Sequence, residues 1–354
     1  MARLIVLAGG GTGGHVFPAL ALAEIVRSAP GTSVRFIGTE RGIGTRHIAA
    51  AGYEVDTVPS EPVVGRNPIA MLRALALVAR GVLLSRRLLR DAGADLVIGV
   101  GGYASVPAVV AALTLRIPTA LLEADASPGL ANRMLGRFAG RVFVQFQDAQ
   151  SHFPAGRSLL TGFPVRPIPP HEESKDGRVR VLVIGGSQGA RSVNRALCGS
   201  LDALSSVNVE ITHQTGTADY EEVKRAYAEA GLDACIAPFF DDLPERLARA
   251  DLVVGRSGSS TAEFCLAGLP QILVPYPHAA GGHQMHNARE LERDGAAVVV
   301  PDARVAEDLG RELCALVRDD ERRARMAAAA RERAAPDAAR RIWEACGPLL
   351  EERS

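Results

Sequence analysis

An apolar run that ends in a glycine turn occurs twice in this chain, and that pattern constrains the fold more than any other feature. Near the start, Leu4-Ile5-Val6-Leu7-Ala8 runs into Gly9-Gly10-Gly11-Thr12-Gly13-Gly14-His15; past the midpoint, Val181-Leu182-Val183-Ile184 runs into Gly185-Gly186-Ser187-Gln188-Gly189-Ala190-Arg191. A short continuous apolar run fits a strand buried on both faces, as in a parallel sheet, and residues 16–26 continue the first turn with an amphipathic, helical pattern. Glycines let the backbone approach a ligand closely, while a helix N-terminus offers unpaired N–H groups to an anion. The first turn also carries an ionisable side chain, His15, beside whatever the turn binds. It is not the full dinucleotide fingerprint, G-x-G-x-x-G followed by an acid about 20 residues on, although Glu40 lies near enough to keep that reading open, and a tight turn with a surface histidine is the plain alternative.

Strand-like runs at 33–38, 55–58, 96–99, 119–122, 142–144, 179–184, 207–212, 252–254, 271–274 and 297–300 alternate with helical ones. Such alternation predicts parallel sheets with helices on both faces. At 354 residues the chain is long for one domain. The expected organisation is α/β, with two Rossmann-like doubly wound domains facing across a cleft: residues 1–164, a proline- and charge-rich linker at 165–177, residues 178–335, and a C-terminal helix over 336–354 packing back toward the first domain.

Composition excludes more than it selects. Lys plus Arg equals Asp plus Glu at 40 each, which argues against wholesale nucleic-acid binding. Cys198, Cys235, Cys265, Cys314 and Cys346 are an odd, scattered set with no C-x-x-C pair, the pattern of a reducing cytosol without a disulfide framework or zinc site. The apolar run at 4–8 is too short for a signal sequence, and no unbroken apolar stretch approaches 18 residues, so no membrane-spanning helix is expected. Residues 68–90 instead combine Ile69, Met71, Leu72, Leu75, Leu83 and Leu84 with Arg73, Arg80, Arg86, Arg87 and Arg90, an apolar surface edged by arginines that suits an anionic membrane surface or, in the plainer reading, a helix covering a sheet.

Five motifs in order carry a family likeness: Gly10-Gly11-Thr12-Gly13-Gly14-His15-Val16-Phe17-Pro18; Gly101-Gly102-Tyr103-Ala104-Ser105; Gly185-Gly186-Ser187-Gln188-Gly189-Ala190-Arg191; Arg256-Ser257-Gly258 through Glu263; and Pro275-Tyr276-Pro277-His278 through His283-Gln284 and Asn287. Through nearly its whole length the chain resembles the MurG family of peptidoglycan N-acetylglucosaminyltransferases. The resemblance implies a GT-B fold and a cofactor-free, metal-independent, inverting transfer of N-acetylglucosamine from UDP-N-acetylglucosamine to a lipid-linked muramyl peptide, lipid I to lipid II, on the cytoplasmic face of the bacterial plasma membrane. It further implies that Ser187 and Gln188 approach the donor diphosphate with Arg166 as charge partner, that Glu263 meets the ribose, that Gln284 meets the sugar and that the backbone near Phe240 meets uracil. Ser260, Asn287 and Asp125 are further substrate-binding candidates, while Thr12, Gly13, Gly14 and Tyr103 fall on the acceptor side.

A single displacement needs a base for the acceptor hydroxyl and stabilisation of the departing diphosphate. His15, with a reference pKa near neutrality, and Glu123, at the C-terminal end of a strand, are both candidates for that base. His278, His283 and His286 lack a cysteine or acidic partner at metal-ligand spacing and suit contact with sugar or phosphate. The chain departs from the family where Leu122-Glu123-Ala124-Asp125 replaces His-Glu-Gln-Asn, where Phe163 replaces asparagine before Pro164-Val165-Arg166, and where the segment 258–263 is one residue shorter. A transferase with a different lipid or small-molecule acceptor, a UDP-N-acetylglucosamine epimerase and a nucleotide-sugar sensor are the competing readings.

Overall fold

The structure, a computed structural model, describes residues 2–10, 13–39, 44–62, 67–186 and 189–351. The chain divides into two compact units: Met1–Val165 with Ala335–Ser354, and Arg166–Ala334.

In the N-terminal unit β1 (Arg3–Ala8), β2 (Thr32–Gly38), β3 (Val55–Thr57), β4 (Leu96–Gly99), β5 (Thr119–Glu123), β6 (Arg141–Val144) and β7 (Ser158–Leu160) form one sheet in the order β3-β2-β1-β4-β5-β6-β7. All of its pairings are parallel. The crossovers carry α1 (Gly13–Ser28), α2 (Gly44–Ala50), α3 (Pro68–Ala92), α4 (Val106–Thr114) and α5 (Leu130–Leu135). Ile5, Val6, Leu7 and Ala8 are all buried, because β1 sits between β2 and β4 and is covered on both faces. The chain reverses direction across the sheet at β1 and β4, so the loops after these two strands border the switch point where doubly wound sheets bind ligands.

The C-terminal unit repeats the plan. Strands β8 (Val179–Ile184), β9 (Val209–Gln214), β10 (Ala234–Ala237), β11 (Leu252–Gly255), β12 (Gln271–Leu273) and β13 (Ala297–Val299) lie in the order β10-β9-β8-β11-β12-β13, again all parallel. Its helices are α6 (Arg191–Cys198), α7 (Leu201–Ser205), α8 (Tyr220–Glu229), α9 (Leu243–Arg249), α10 (Thr261–Leu266), α11 (His283–Arg293), α12 (Val305–Arg318) and α13 (Asp320–Glu332). The switch point here falls between β8 and β11, at the second glycine turn.

The stretch read as a linker is bound to the C-terminal unit from Arg166 onward. Arg166 pairs with Glu263, the Glu172 N–H donates to the Ala248 carbonyl at 2.9 Å, and Arg180 donates to the Glu172 carbonyl. Proline and charge mark it as irregular, but those charges find partners on the domain beneath. The chain then returns: α14 (Ala338–Ala345) packs against α1, and Leu349 of α15 (Gly347–Glu351) fills the space left by the missing side chain of Gly140.

The sequence expectation about membrane spans needs one correction. Counting only unbroken apolar runs overlooked α3, which with a mean hydropathy of 1.6 over 18 residues is long and apolar enough to cross a bilayer. It is nevertheless docked on its own unit. Ala74, Gly81, Ser85 and Leu89 are buried along one side, α3 lies along α4, and a Cβ on Gly81 would stand 2.3 Å from the Pro59 carbonyl oxygen.

Candidate active site

Each unit holds its own cluster of the residues singled out from sequence. In the N-terminal unit the turn after β1 depends on glycine. Gly9 has φ +152°, and a Cβ there would lie 2.3 Å from Val100 Cγ2, so any side chain would drive the turn away from β4. Gly13 and Gly14 open α1, and His15 follows in its first turn. Its imidazole packs on the bare backbone of the loop after β4: a Cβ on Gly101 would stand 2.8 Å from His15 Cδ2, and one on Gly102 would stand 3.4 Å from His15 Cε1. Two motifs far apart in sequence thus form one feature, a half-buried imidazole seated on a glycine pair. Burial lowers the His15 pKa from its usual value, against an opposing pull from the nearby charge of Asp125. The ring is therefore neutral at pH 7, the state in which it can accept a proton.

Glu123 occupies a different environment. It ends β5, is 4% exposed, and has both oxygens engaged: Oε1 accepts from the Asp125 N–H and Oε2 from Asn132 Nδ2, each at 2.9 Å. Burial, then the charge of Asp125, push its carboxyl up to about 8, with the hydrogen bonds from Asn132, Asp125 and Gly129 pulling the other way. At neutral pH it largely holds its proton. Asn132 also donates to the Leu122 carbonyl at 2.9 Å, so its amide fastens the loop after β5 to the end of that strand. Sequence reading missed Asn132; an amide nine residues beyond the strand-end acid was the available signal. Asp125 is half-buried, and Tyr103 is exposed just after Gly102, with its carbonyl accepting from the Ser60 hydroxyl at 2.9 Å. Thr12 and Glu40 lie outside the described residues.

In the C-terminal unit Ser187 and Gln188 also lie outside the described residues, but the turn that contains them is fixed at both ends. The Gly186 carbonyl accepts from Gln214 Nε2 at 3.2 Å, and Gly189, at φ +76°, leaves room for the Thr215 carbonyl oxygen 2.3 Å from where a Cβ would be. Arg166 donates to Glu263 Oε1 at 3.3 Å, and both side chains are largely buried. Burial raises the Glu263 carboxyl while Arg166 holds it down. The sequence reading gave these two residues separate tasks on a nucleotide; the structure makes them a pair, which places a cation and an acid side by side at the start of α10. Ser260 stands just before that helix and accepts from the Phe264 N–H through its carbonyl.

Gln284 turns its amide between two segments, accepting from the Tyr276 N–H at 2.9 Å and leaving Nε2 3.8 Å from the position of a Cβ on Gly258. Asn287 is 0% exposed and donates to the Ser257 carbonyl at 2.9 Å, so it fixes the turn after β11. The Phe240 side chain is buried beneath the Arg246 guanidinium, and its N–H is taken by Gln214. Arg256 binds Asp302 at 2.6 Å and Ser192 at 2.9 Å, tying the turn after β11 to α6; its partners were not evident from sequence because they lie 46 and 64 residues away. Among the described residues no group of three or more His, Cys, Asp or Glu side chains has metal-binding geometry, and His278, His283 and His286 do not converge on one.

The comparisons follow this division. The glycosyltransferase family 28 N-terminal domain matches residues 5–144, and the glycosyltransferase family 28 C-terminal domain matches residues 180–342. A protein of Anaeromyxobacter sp. (strain Fw109-5), named UDP-N-acetylglucosamine--N-acetylmuramyl-(pentapeptide) pyrophosphoryl-undecaprenol N-acetylglucosamine transferase, is 42% identical over 99% of this chain and 94% of its own length. The crystal structure of Acinetobacter baumannii MurG is similar with a TM-score of 0.78 at 28% identity, over 97% of this chain and 98% of that one. A UDP-GlcNAc 2-epimerase from Neisseria meningitidis shares the fold alone, with a TM-score of 0.69 at 14% identity over 98% of this chain and 99% of its own. Two parallel α/β units of this order, matched from end to end, make the chain a GT-B protein and a member of glycosyltransferase family 28, in its MurG branch.

Proposed function

We infer that the chain transfers N-acetylglucosamine from UDP-N-acetylglucosamine to the C4 hydroxyl of the muramyl sugar in undecaprenyl-diphosphate-linked N-acetylmuramyl peptide, converting lipid I to lipid II in peptidoglycan synthesis. The observation that carries this reading is a likeness of 42% identity extending over 99% of the chain to a relative named for that transfer. The epimerase reading has no comparable support, since that likeness reaches only the fold.

His15 serves as the general base. Its neutral imidazole takes the proton from the muramyl hydroxyl as the oxygen attacks the anomeric carbon, and the bond to the UDP diphosphate breaks with its electron pair leaving on UDP. Attack from the face opposite the leaving group inverts the anomeric centre. Glu123 suits this task less, because both its oxygens are engaged and its carboxyl holds its proton near neutrality. It shapes the acceptor loop instead. In the C-terminal unit Arg166 and the N–H groups of the turn after β8 meet the diphosphate, Glu263 accepts the ribose hydroxyls, and Gln284 offers its amide to the sugar.

The enzyme works at the cytoplasmic face of the bacterial plasma membrane, lying on it through α3. Ile69, Met71, Leu72, Leu75, Leu83 and Leu84 are exposed along that helix, Arg73, Arg80, Arg87 and Arg90 stand out beside them, and Arg86 reaches back to Thr114. An anionic surface would take up both sets. Purified protein given radiolabelled UDP-N-acetylglucosamine and lipid I is expected to form labelled lipid II; a folded protein that forms none, or that converts the free nucleotide sugar without acceptor, sinks the assignment.

A further inference from the structure

At the C-terminal end of β9 stand His213 and Gln214, followed by Thr215, three polar residues that are all buried and that none of the roles above uses. Buried polar groups are costly unless hydrogen-bonded, so their partners show what they hold. Gln214 Nε2 donates to the Gly186 carbonyl at 3.2 Å, at the mouth of the glycine turn; Gln214 Oε1 accepts from the Phe240 N–H at 2.9 Å, in the segment between β10 and α9. The same strand end reaches both places again through its backbone. Thr215 N–H donates to Ala237 at 3.0 Å and Gly216 N–H to Pro238 at 3.1 Å, while the Thr215 carbonyl sits against Gly189.

Beneath Gln214 a second set of bonds makes this end of the strand hard to move. His213 Nε2 bonds Asn194 Oδ1 at 3.0 Å and His213 Nδ1 meets the Tyr227 hydroxyl at 3.3 Å. Asn194, on α6, donates to the Thr215 carbonyl at 2.9 Å and to Asp219 at 2.8 Å, and Arg191 closes on Asp219 at 3.2 Å. The glycine turn, the first turn of α6 and the Phe240 segment are therefore all referred to one fixed point.

We propose that Gln214 is a positioning residue of the donor site: a single side-chain amide that holds the diphosphate-binding turn and the nucleobase-side backbone at Phe240 in one frame, so that the two ends of UDP bind as a unit. The proposal rests on the reading of the C-terminal unit as the UDP-sugar site. A side chain that donates to one segment and accepts from the other is the means; removing it releases both, and each end of the nucleotide then orders its own segment on binding.

The test uses the full chain, with UDP and uridine as probes in calorimetry and UDP-N-acetylglucosamine with lipid I in kinetics. Gln214→Met keeps the length and loses both bonds; Gln214→Glu keeps the acceptor for the Phe240 N–H and loses the donor to Gly186. Expected for Gln214→Met is a rise of about tenfold in the UDP Kd and in the donor KM, the size of one or two lost hydrogen bonds, with kcat and the acceptor KM within about twofold. Gln214→Glu is expected to hold uridine as the native protein does and to lose affinity for UDP. The proposal is overturned if either variant, folded, binds UDP like the native protein, or if kcat falls and the acceptor KM rises by as much as the donor KM does. If Gln214→Met does not fold, Gln214→Glu decides by the same criteria. Failure of the native protein to bind UDP brings down the reading of the whole unit, an outcome distinct from native binding that Gln214 does not affect.

Discussion

The glycine turns after β1 and after β8 start from one local plan, a buried parallel strand, glycines of positive φ and a following helix, and are finished by opposite means. The first is finished with a side chain: His15 projects from α1 onto the backbone of Gly101 and Gly102, in a setting that keeps the ring neutral. The second is finished from outside, by Gln214, Thr215 and the polar network beneath them, which grip the turn by its backbone. A turn that delivers a reactive group needs neighbours without side chains. A turn that presents backbone N–H groups needs its carbonyls tied down. On the proposed reading the same motif serves proton transfer in one unit and anion binding in the other, according to what packs against it.

The most severe challenge to this contrast is His15→Ala. If the first turn delivers the base, kcat falls by about 10²–10⁴ while the UDP Kd stays at its native value, read by initial rates and calorimetry on the same preparation. A rise in UDP Kd to match would mean that the two turns are not divided in this way. A smaller effect concerns the network under the second turn. Burial lowers the His213 pKa to about 4, so the stability it contributes as a neutral ring is complete above the unfolded-state value near 6.5 and is lost as the pH falls toward the folded-state value. Urea unfolding at pH 7 and pH 5 should show His213→Gln closing on the native protein by about 2 kcal/mol over that interval. A gap that stays constant would show that the ring is not held neutral by burial. The smallest effect belongs to the N-terminal unit alone. Leu72 on α3 is 65% exposed, and Leu72→Ser should weaken binding to anionic lipid vesicles by about fivefold in a sedimentation assay, leaving UDP affinity unchanged.

The sheets were legible where strands are buried on both faces, since a run such as Leu4 to Ala8 has no polar interruption to disguise it. Two strands escaped. Leu159 and Leu160 of β7 are exposed at the sheet edge, and the four residues of β10 carry no run long enough to register. A third was displaced: the sequence placed a strand at 207–212, whereas β9 extends to Gln214. That shift hid the fastening of the second glycine turn, because His213-Gln214 reads as loop by polarity, and only pairing with β8 and β10 shows that it is the buried end of a strand. His15, Arg166 and Glu263 were legible as chemistry, but the Arg166–Glu263 pair spans 97 residues and no local pattern announces it. Glu123 was legible by its place at a strand end, and its three N–H donors were not.

The return of the chain has a consequence for biosynthesis. Ala338, Ile342, Cys346, Leu349 and Leu350 are buried in the N-terminal unit, and Ala335 lies 2.2 Å from where a Cβ on Gly162 would project. The unit that the ribosome makes first is thus the last to be finished, since its closing helices are translated only after every residue of the other. Until then the apolar surface that Ile342, Leu349 and Leu350 cover in the finished unit lacks its cover.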